Sequence, residues 1–325
     1  MSKQSTKNKI LNGVIPVLFC PYKADDTLDI NGLKKNTQFL VDYAVKDRKP
    51  FVILANGSTT ECYANSIEEQ RKVIETVVDA VAGRLPVIAG VSQAGTRQTV
   101  EMAKYAEAAG ADFVMVLPPY YHHASKEGIF QHFQEVASAI GIGLVVYNNP
   151  DVSATLIPPD FLARLAGINN VVACKDNATS FSDLANKAFS EDLKKLSLLA
   201  GHGEVQYLAA ACYGFVYRGF ISFIANFAPG LSYEIFTAVE QRDIYRASQA
   251  LRKQFPIWQF VAKVEKNRES ISVIPPGLKT SYAYMSVGKA AMEIAGLNGG
   301  HLRLPMEDLT VDEKKELTKI LKEIG

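Results

Sequence analysis

Eight short apolar runs recur at regular intervals along this chain, and they constrain its fold more than any other feature. They are Val14–Phe19, Phe51–Leu54, Pro86–Ala89, Phe113–Val116, Gly143–Tyr147, Val171–Cys174, Leu196–Ala200 and Gly219–Phe223. Amphipathic stretches with helix punctuation separate them. Ser66-Ile67-Glu68-Glu69 has the pattern of a capping box, and it opens a helix whose Ile67, Ile74, Val77, Val78 and Val81 share one face before Gly83 stops it. The next helix runs from Thr96 and ends at Gly110 in the same way. Strands that are apolar throughout and alternate with helices belong to a parallel sheet covered on both faces, and eight such units close a barrel. The alternative is an open doubly wound sheet, but no Gly-x-Gly-x-x-Gly follows the first run. The expected fold class is therefore α/β, a (β/α)8 TIM barrel over residues 13–242, behind an N-terminal tail of residues 1–12. From residue 243 the strand signal stops. Helical patterning over Arg252–Lys266, Ser281–Ile294 and Val311–Ile324 predicts a C-terminal helical extension over 243–325, with Pro275, Pro276 and Gly277 breaking regular structure between its helices.

Composition narrows the class of partner. With 325 residues, 48% of them hydrophobic, the chain can bury one large core. Lys plus Arg number 35 against 34 Asp plus Glu, with no basic stripe interleaved with aromatics, so neither nucleic acid nor a membrane surface is an expected partner. No signal-peptide core follows the polar start and no apolar run is long enough to span a bilayer, which predicts a cytoplasmic protein. Cys20, Cys62, Cys174 and Cys212 form no C-x-x-C pair and read as small buried hydrophobes. His122, His123 and His132 do not have the spacing of a metal site, and no metal or other cofactor is expected.

Barrel chemistry sits at the C-terminal ends of strands, so the residues just after each run are the candidates. Ser58 and Thr59 follow the second run and offer hydroxyls and backbone N–H groups to a carboxylate, although a plain capped turn explains them equally well. Tyr120 and Tyr121 follow the fourth run, Tyr147 ends the fifth, and Lys175 ends the sixth in "VVACKDN". Any one tyrosine could be an amphipathic packing residue, and Lys175 alone could snorkel to water. Together, a desolvated lysine, a phenol that shuttles protons and a hydroxyl pair for an acid group are what a Schiff-base enzyme acting on a 2-keto acid needs.

The segments "GSTTE", "PPYY", "YNNP" and "CKDN", in that order, resemble the GTTGE-type loop, the TPYY element, the YNxP element and the lysine motif of the dihydrodipicolinate synthase and N-acetylneuraminate lyase superfamily. The resemblance continues through "GFISFIANFAP" and "GLNGGHLRLPMEDL" and covers nearly the whole chain from Ile10. It implies that Lys175 forms the Schiff base, that Tyr147 shuttles protons, and that Ser58 and Thr59 bind the keto-acid carboxylate. It further implies that Tyr121 enters a neighbouring subunit's site in a homotetramer built from tight dimers. Gly201 and Ile221 match positions lining the site, and Glu204 and Ser222 match sugar-contacting positions of the lyases.

Four departures from the family pattern bear on substrate choice. Thr60 stands where glycine is usual, which predicts a reshaped carboxylate loop. Val152 stands where true dihydrodipicolinate synthases place an arginine for the second carboxylate. Gly203 replaces the lyases' aspartate, and Tyr213–Arg218 carries a short insertion. The expected function is a Schiff-base lyase, aldolase or dehydratase acting on pyruvate, a related 2-keto acid or a sugar acid, with an aldehyde or sugar-acid partner substrate. The alternatives are an authentic 4-hydroxy-tetrahydrodipicolinate synthase, against which Val152 weighs, and a non-catalytic keto-acid or sugar-acid binding barrel, against which Lys175 and Tyr147 weigh.

Overall fold

The computed structural model describes residues 11–177, 180–215, 217–268 and 282–324. Most of the N-terminal tail and the Pro275-Pro276-Gly277 break lie outside the described residues. Eight parallel strands form one sheet in the order β1-β8-β7-β6-β5-β4-β3-β2. They are β1 (Gly13–Pro16), β2 (Ile53–Ala55), β3 (Val87–Gly90), β4 (Phe113–Val116), β5 (Gly143–Asn148), β6 (Val171–Asp176), β7 (Ser197–Ala200) and β8 (Gly219–Ser222). Parallel bridges Val14 to Phe51 and Val17 to Leu54 join the two ends, so the sheet closes into the expected (β/α)8 barrel. β2 starts later than its apolar run suggests because Phe51 pairs with β1, while the ladder to β3 begins at Ile53. Closure at the bottom requires glycine: a Cβ on Gly13, whose φ is +110°, would lie 2.0 Å from the Pro50 carbonyl oxygen.

The helices are α1 (Ile30–Lys46), α2 (Ile67–Val81), α3 (Thr96–Ala109), α4 (Lys126–Ser138), α5 (Pro150–Ser153), α6 (Pro159–Ala166), α7 (Phe181–Ala188), α8 (Gly203–Cys212) and α9 (Pro229–Glu240), followed by α10 (Ile244–Lys266), α11 (Ala283–Ile294) and α12 (Val311–Ile324). The predicted capping box is present at α2, where Ser66 and Glu69 each accept from the other's backbone N–H. None of the described helices is long and apolar enough to cross a membrane.

Strand alternation sorts side chains into two layers. Ile15, Val52, Leu54, Ile88, Phe113, Met115, Val145, Tyr147, Ala173, Leu199 and Ile221 fill the barrel interior. Their neighbours Val14, Val114, Val146, Cys174, Ala200 and Phe220 face the helices. By this parity Lys175, two residues after Ala173, points inward at the C-terminal mouth, whereas Asp176 points outward.

The last three helices are joined to the barrel mouth by a shared core of Phe19, Phe223, Ile224 and Phe227 with residues of α10, α11 and α12. α10 starts earlier than its apolar pattern predicts because Asp243 caps it by accepting from the Arg246 N–H. A buried ion pair fastens α11 to the loop after β2: Lys289 Nζ lies 2.5 Å from Glu61 Oε1, both side chains almost fully buried. The other Glu61 oxygen accepts from the Arg303 N–H at 2.8 Å. Breaking such a pair from one side costs about 3–5 kcal/mol, so the loop is held firmly against the C-terminal helices.

Candidate active site

Lys175 and Tyr147 are direct register partners on β6 and β5. The Lys175 ammonium nitrogen sits 3.7 Å from the centroid of the Tyr147 ring, and the lysine is only 5% exposed. Among the described residues Lys175 makes no hydrogen bond or ion pair. Burial therefore dominates and lowers its pKa from 10.5 to about 7, with only the Cys62 thiol opposing. The Tyr147 hydroxyl accepts from the Asn149 side-chain amide at 2.8 Å. Burial and the neighbouring Tyr284 phenol push the Tyr147 hydroxyl well above its ordinary range, against the contrary pull of Asn149 and Ser58, so it stays protonated.

Ser58 and Thr59 lie in a short 3-10 turn, Ser58–Thr60, that follows β2. Thr60 itself is not at positive φ; the left-handed conformations fall on Asn56 and Glu61, at φ +55° and +56°. Thr60 instead fixes the turn: its hydroxyl donates to the Leu18 carbonyl at 2.7 Å and accepts from the Gly57 N–H at 3.1 Å. The Thr59 hydroxyl faces the Tyr284 hydroxyl of α11 at 3.3 Å.

Gly201 adjoins the lysine strand, its N–H donating to the Asp176 carbonyl at 2.9 Å. Any side chain there would collide with Asn177 Oδ1, 2.0 Å from an ideal Cβ. Ile221 closes the interior near Leu199 and Tyr147. Glu204 and Ser222 stand apart from this group. Ser222 has outward parity, and Glu204 Oε1 accepts from Ser222 and from Ser232 of α9, each at 2.6 Å, in a fully buried cluster between β8, α8 and α9. Burial raises the Glu204 pKa, against the pull of both serines. Gly203 is explained by its backbone: φ is +73°, and a Cβ would meet the Ile221 carbonyl oxygen at 3.0 Å. Tyr121 is 75% exposed and meets His122 edge-on. Val152 is half exposed on α5, presenting no charge.

Behind the lysine, the outward-facing Asp176 accepts from Asn148 at 2.8 Å, from Lys187 at 2.9 Å and from the Tyr217 hydroxyl at 3.1 Å. Tyr217 belongs to the inserted segment, of which Val216 lies outside the described residues. Sequence reasoning missed three neighbours of the site. Asn149 was visible in "YNNP", but nothing in its spacing specifies a bond to Tyr147. Tyr284 is far away in the chain and reaches Thr59 only through the packing of α11. The cysteines, expected to be four small buried hydrophobes, divide: Cys20 and Cys174 are buried, Cys62 is partly exposed with its thiol near Lys175, and Cys212 is exposed. Cys212 lies in the last turn of α8, where chain geometry puts it on the solvent side.

A cavity of about 340 Å³ opens at the opposite, N-terminal end of the barrel, lined by Leu11, Phe51, Val52, Pro86 and Phe113 among others. Among the described residues that line it, the ionisable one, Lys49, is paired with Asp47.

A buried amine with a lowered pKa, placed beside a phenol at the C-terminal mouth of a (β/α)8 barrel, defines a class I aldolase-type site. Comparison with known proteins narrows this. The sequence matches the dihydrodipicolinate synthetase family over residues 10–324. It is 32% identical to the 4-hydroxy-tetrahydrodipicolinate synthase of Methanococcus vannielii, covering 97% of this chain and 99% of the relative. It is 30% identical to a probable 5-dehydro-4-deoxyglucarate dehydratase of a Bradyrhizobium species, covering 99% and 95%. The structure superposes on a dihydrodipicolinate synthase of Acinetobacter baumannii complexed with pyruvate, with a TM-score of 0.79, 27% identity, and coverage of 97% and 99%. The chain belongs to the dihydrodipicolinate synthetase family and is an enzyme of the class I lyase and aldolase type, which acts through a lysine Schiff base.

The lowered pKa of Lys175 has a consequence for stability. Between pH 7 and 10.5 an unfolded Lys175 binds a proton that the folded one does not, so stability rises with pH across that window; below pH 7 both forms are protonated and the cost of burial is felt in full. Relative to Lys175→Met, the wild-type protein should gain stability from pH 7 to 10.5, by at most about 5 kcal/mol at 1.36 kcal/mol per pH unit. Urea unfolding of both chains across this range checks it, and parallel stability curves would refute it.

Proposed function

We propose that this protein is a Schiff-base aldolase, lyase or dehydratase in which Lys175 attacks the carbonyl of pyruvate or a related 2-keto acid or sugar acid. The observation that carries this reading is an unpaired, buried lysine whose register partner is Tyr147. The amine adds to the keto carbon to give a carbinolamine, which loses water to form a protonated imine. The imine draws electrons from the adjacent carbon, so a bond at that carbon can form or break. Tyr147 carries the proton between that carbon, the carbinolamine oxygen and the departing or incoming group. The 3-10 turn with Ser58 and Thr59 receives the carboxylate, and Gly201 and Ile221 line the chamber.

Among the described residues, the polar groups gathered about Lys175 and Tyr147 are neutral hydroxyls, an amide and a thiol: Ser58, Tyr284, Asn149 and Cys62, with Thr59 against Tyr284. Val152 supplies no cation for a second carboxylate. The partner substrate is accordingly a neutral or polyhydroxylated aldehyde, or a sugar acid cleaved or dehydrated at the imine. The second reading, a 4-hydroxy-tetrahydrodipicolinate synthase, is favoured by the name of the archaeal relatives. Glu204 and Ser222 are proposed to act on the substrate only through the walls they support, given their outward cluster.

A substrate panel separates the readings. Neutral aldehydes with pyruvate, and deoxy sugar acids, should be turned over, while aspartate semialdehyde should be poorer by roughly one to two powers of ten in kcat/KM, the worth of a lost charged hydrogen bond. Tyr147→Phe should slow the preferred reaction by roughly 10² or more. Aspartate semialdehyde matching the best neutral aldehyde would restore the synthase reading, and a near-normal kcat in Tyr147→Phe would move the proton work elsewhere.

Assembly is read from exposure and resemblance together. Tyr121 stands largely bare beside the mouth, which supports a homotetramer, a dimer of dimers, in which it completes a neighbour's site. Inactive Lys175→Ala and Tyr121→Phe chains, mixed and refolded, should regain activity because one hybrid site receives both intact residues. Hybrids no more active than their parents would count against the shared site.

A further inference from the structure

Among the described residues, Tyr284 of α11 brings a hydroxyl to the turn that holds Ser58 and Thr59. Its hydroxyl lies 3.3 Å from Thr59 Oγ1, and either oxygen can be the donor. That separation is longer than the 2.7–2.8 Å usual for paired hydroxyls. Two O–H groups at this separation can both turn toward a single acceptor oxygen placed beside them. The tyrosine ring is wedged against Phe223, centroid to centroid 5.7 Å, just beyond β8, so the hydroxyl cannot swing freely. On the same helix, Lys289 grips Glu61, which follows Thr59 closely in the chain. Helix and turn are thus pinned to each other at two points. Burial also pushes the Tyr284 pKa up, keeping it a donor.

We propose that the Tyr284 hydroxyl is a third donor of the keto-acid carboxylate seat, beside Thr59 and the turn's N–H groups. The C-terminal extension then supplies a specificity residue to the barrel's site. This rests on the reading above that the Ser58–Thr60 turn receives the carboxylate. Nothing in the chemistry requires a cation there: a carboxylate is held by several neutral donors when they converge. The consequence is a preference for ketones bearing a carboxylate over ketones without one.

The test is borohydride trapping of the imine with pyruvate and, separately, with hydroxyacetone, a neutral ketone of similar size. In Tyr284→Phe, which keeps the ring against Phe223, trapping by pyruvate should slow about tenfold, the order expected for one hydrogen bond to a charged group, while trapping by hydroxyacetone should not change. Thr59→Val, which keeps Tyr284, should show the same pyruvate-specific loss. Equal slowing for both ketones in both variants, or no slowing for either, would overturn the inference. A wild-type chain that pyruvate does not label at all would overturn the imine reading together with it. A labelled wild type with unaltered selectivity in Tyr284→Phe would overturn this inference alone.

Discussion

The site depends on a lysine buried without a counter-charge. An ammonium group moved from water into protein loses several kcal/mol of solvation, and an anion normally offsets that loss. Among the described residues Lys175 has no such anion. It lies on the Tyr147 ring, whose face attracts a cation weakly, and burial prevails over that attraction. The chain holds other buried lysines for contrast. Lys187 also suffers burial, but Asp176, Cys174 and Asp183 outweigh it and raise its pKa. Lys289 is paired with Glu61, yet burial outweighs the pair and lowers its pKa. Both of those are held in ion pairs, and of these three buried lysines Lys175 is the one with no ion pair among the described residues.

Keeping an uncompensated amine in place demands a rigid surround, and the fold provides it on two sides. Outside the barrel wall, Asp176 gathers Asn148, Lys187 and Tyr217, tying β5, β6, α7 and the segment before β8 together. Because Asp176 and Asn148 follow Lys175 and Tyr147 in their strands, that outward knot fixes the inward pair in register. Across the mouth, Lys289 and the Arg303 N–H hold Glu61, and with it the Ser58–Thr60 turn, against the C-terminal segment. The extension therefore packs directly on the loop after β2, at the barrel mouth where Lys175 lies.

How much of this could be read from the chain alone follows from which features are local. The eight apolar runs and the capping box at Ser66 are local, and the barrel follows from them. The inward placement of Lys175 and Tyr147 at the mouth was legible because each ends an apolar run, and strand alternation turns a position into a direction. The same alternation, counted to Ser222, would have placed it outside the barrel wall; motif likeness pointed it toward the substrate instead. Thr60 stands where the family has glycine, and the sequence alone does not show that the positive φ angles of this loop fall on Asn56 and Glu61 instead. Tyr284 was beyond reach, since its meeting with Thr59 depends on how α11 packs, and no periodicity encodes that. Cys62 likewise gains its place at the site from the path of the loop after β2.

The most direct test of the central claim is to ask which lysine reacts. The protein should be incubated with pyruvate, reduced with borohydride, digested and mapped by mass spectrometry. A free, buried amine at Lys175 predicts a reduced pyruvyl adduct on the peptide that contains Lys175, none on those containing Lys187 or Lys289, and its disappearance in Lys175→Ala. An adduct spread evenly over the buried lysines, or one that persists undiminished in Lys175→Ala, would contradict the account.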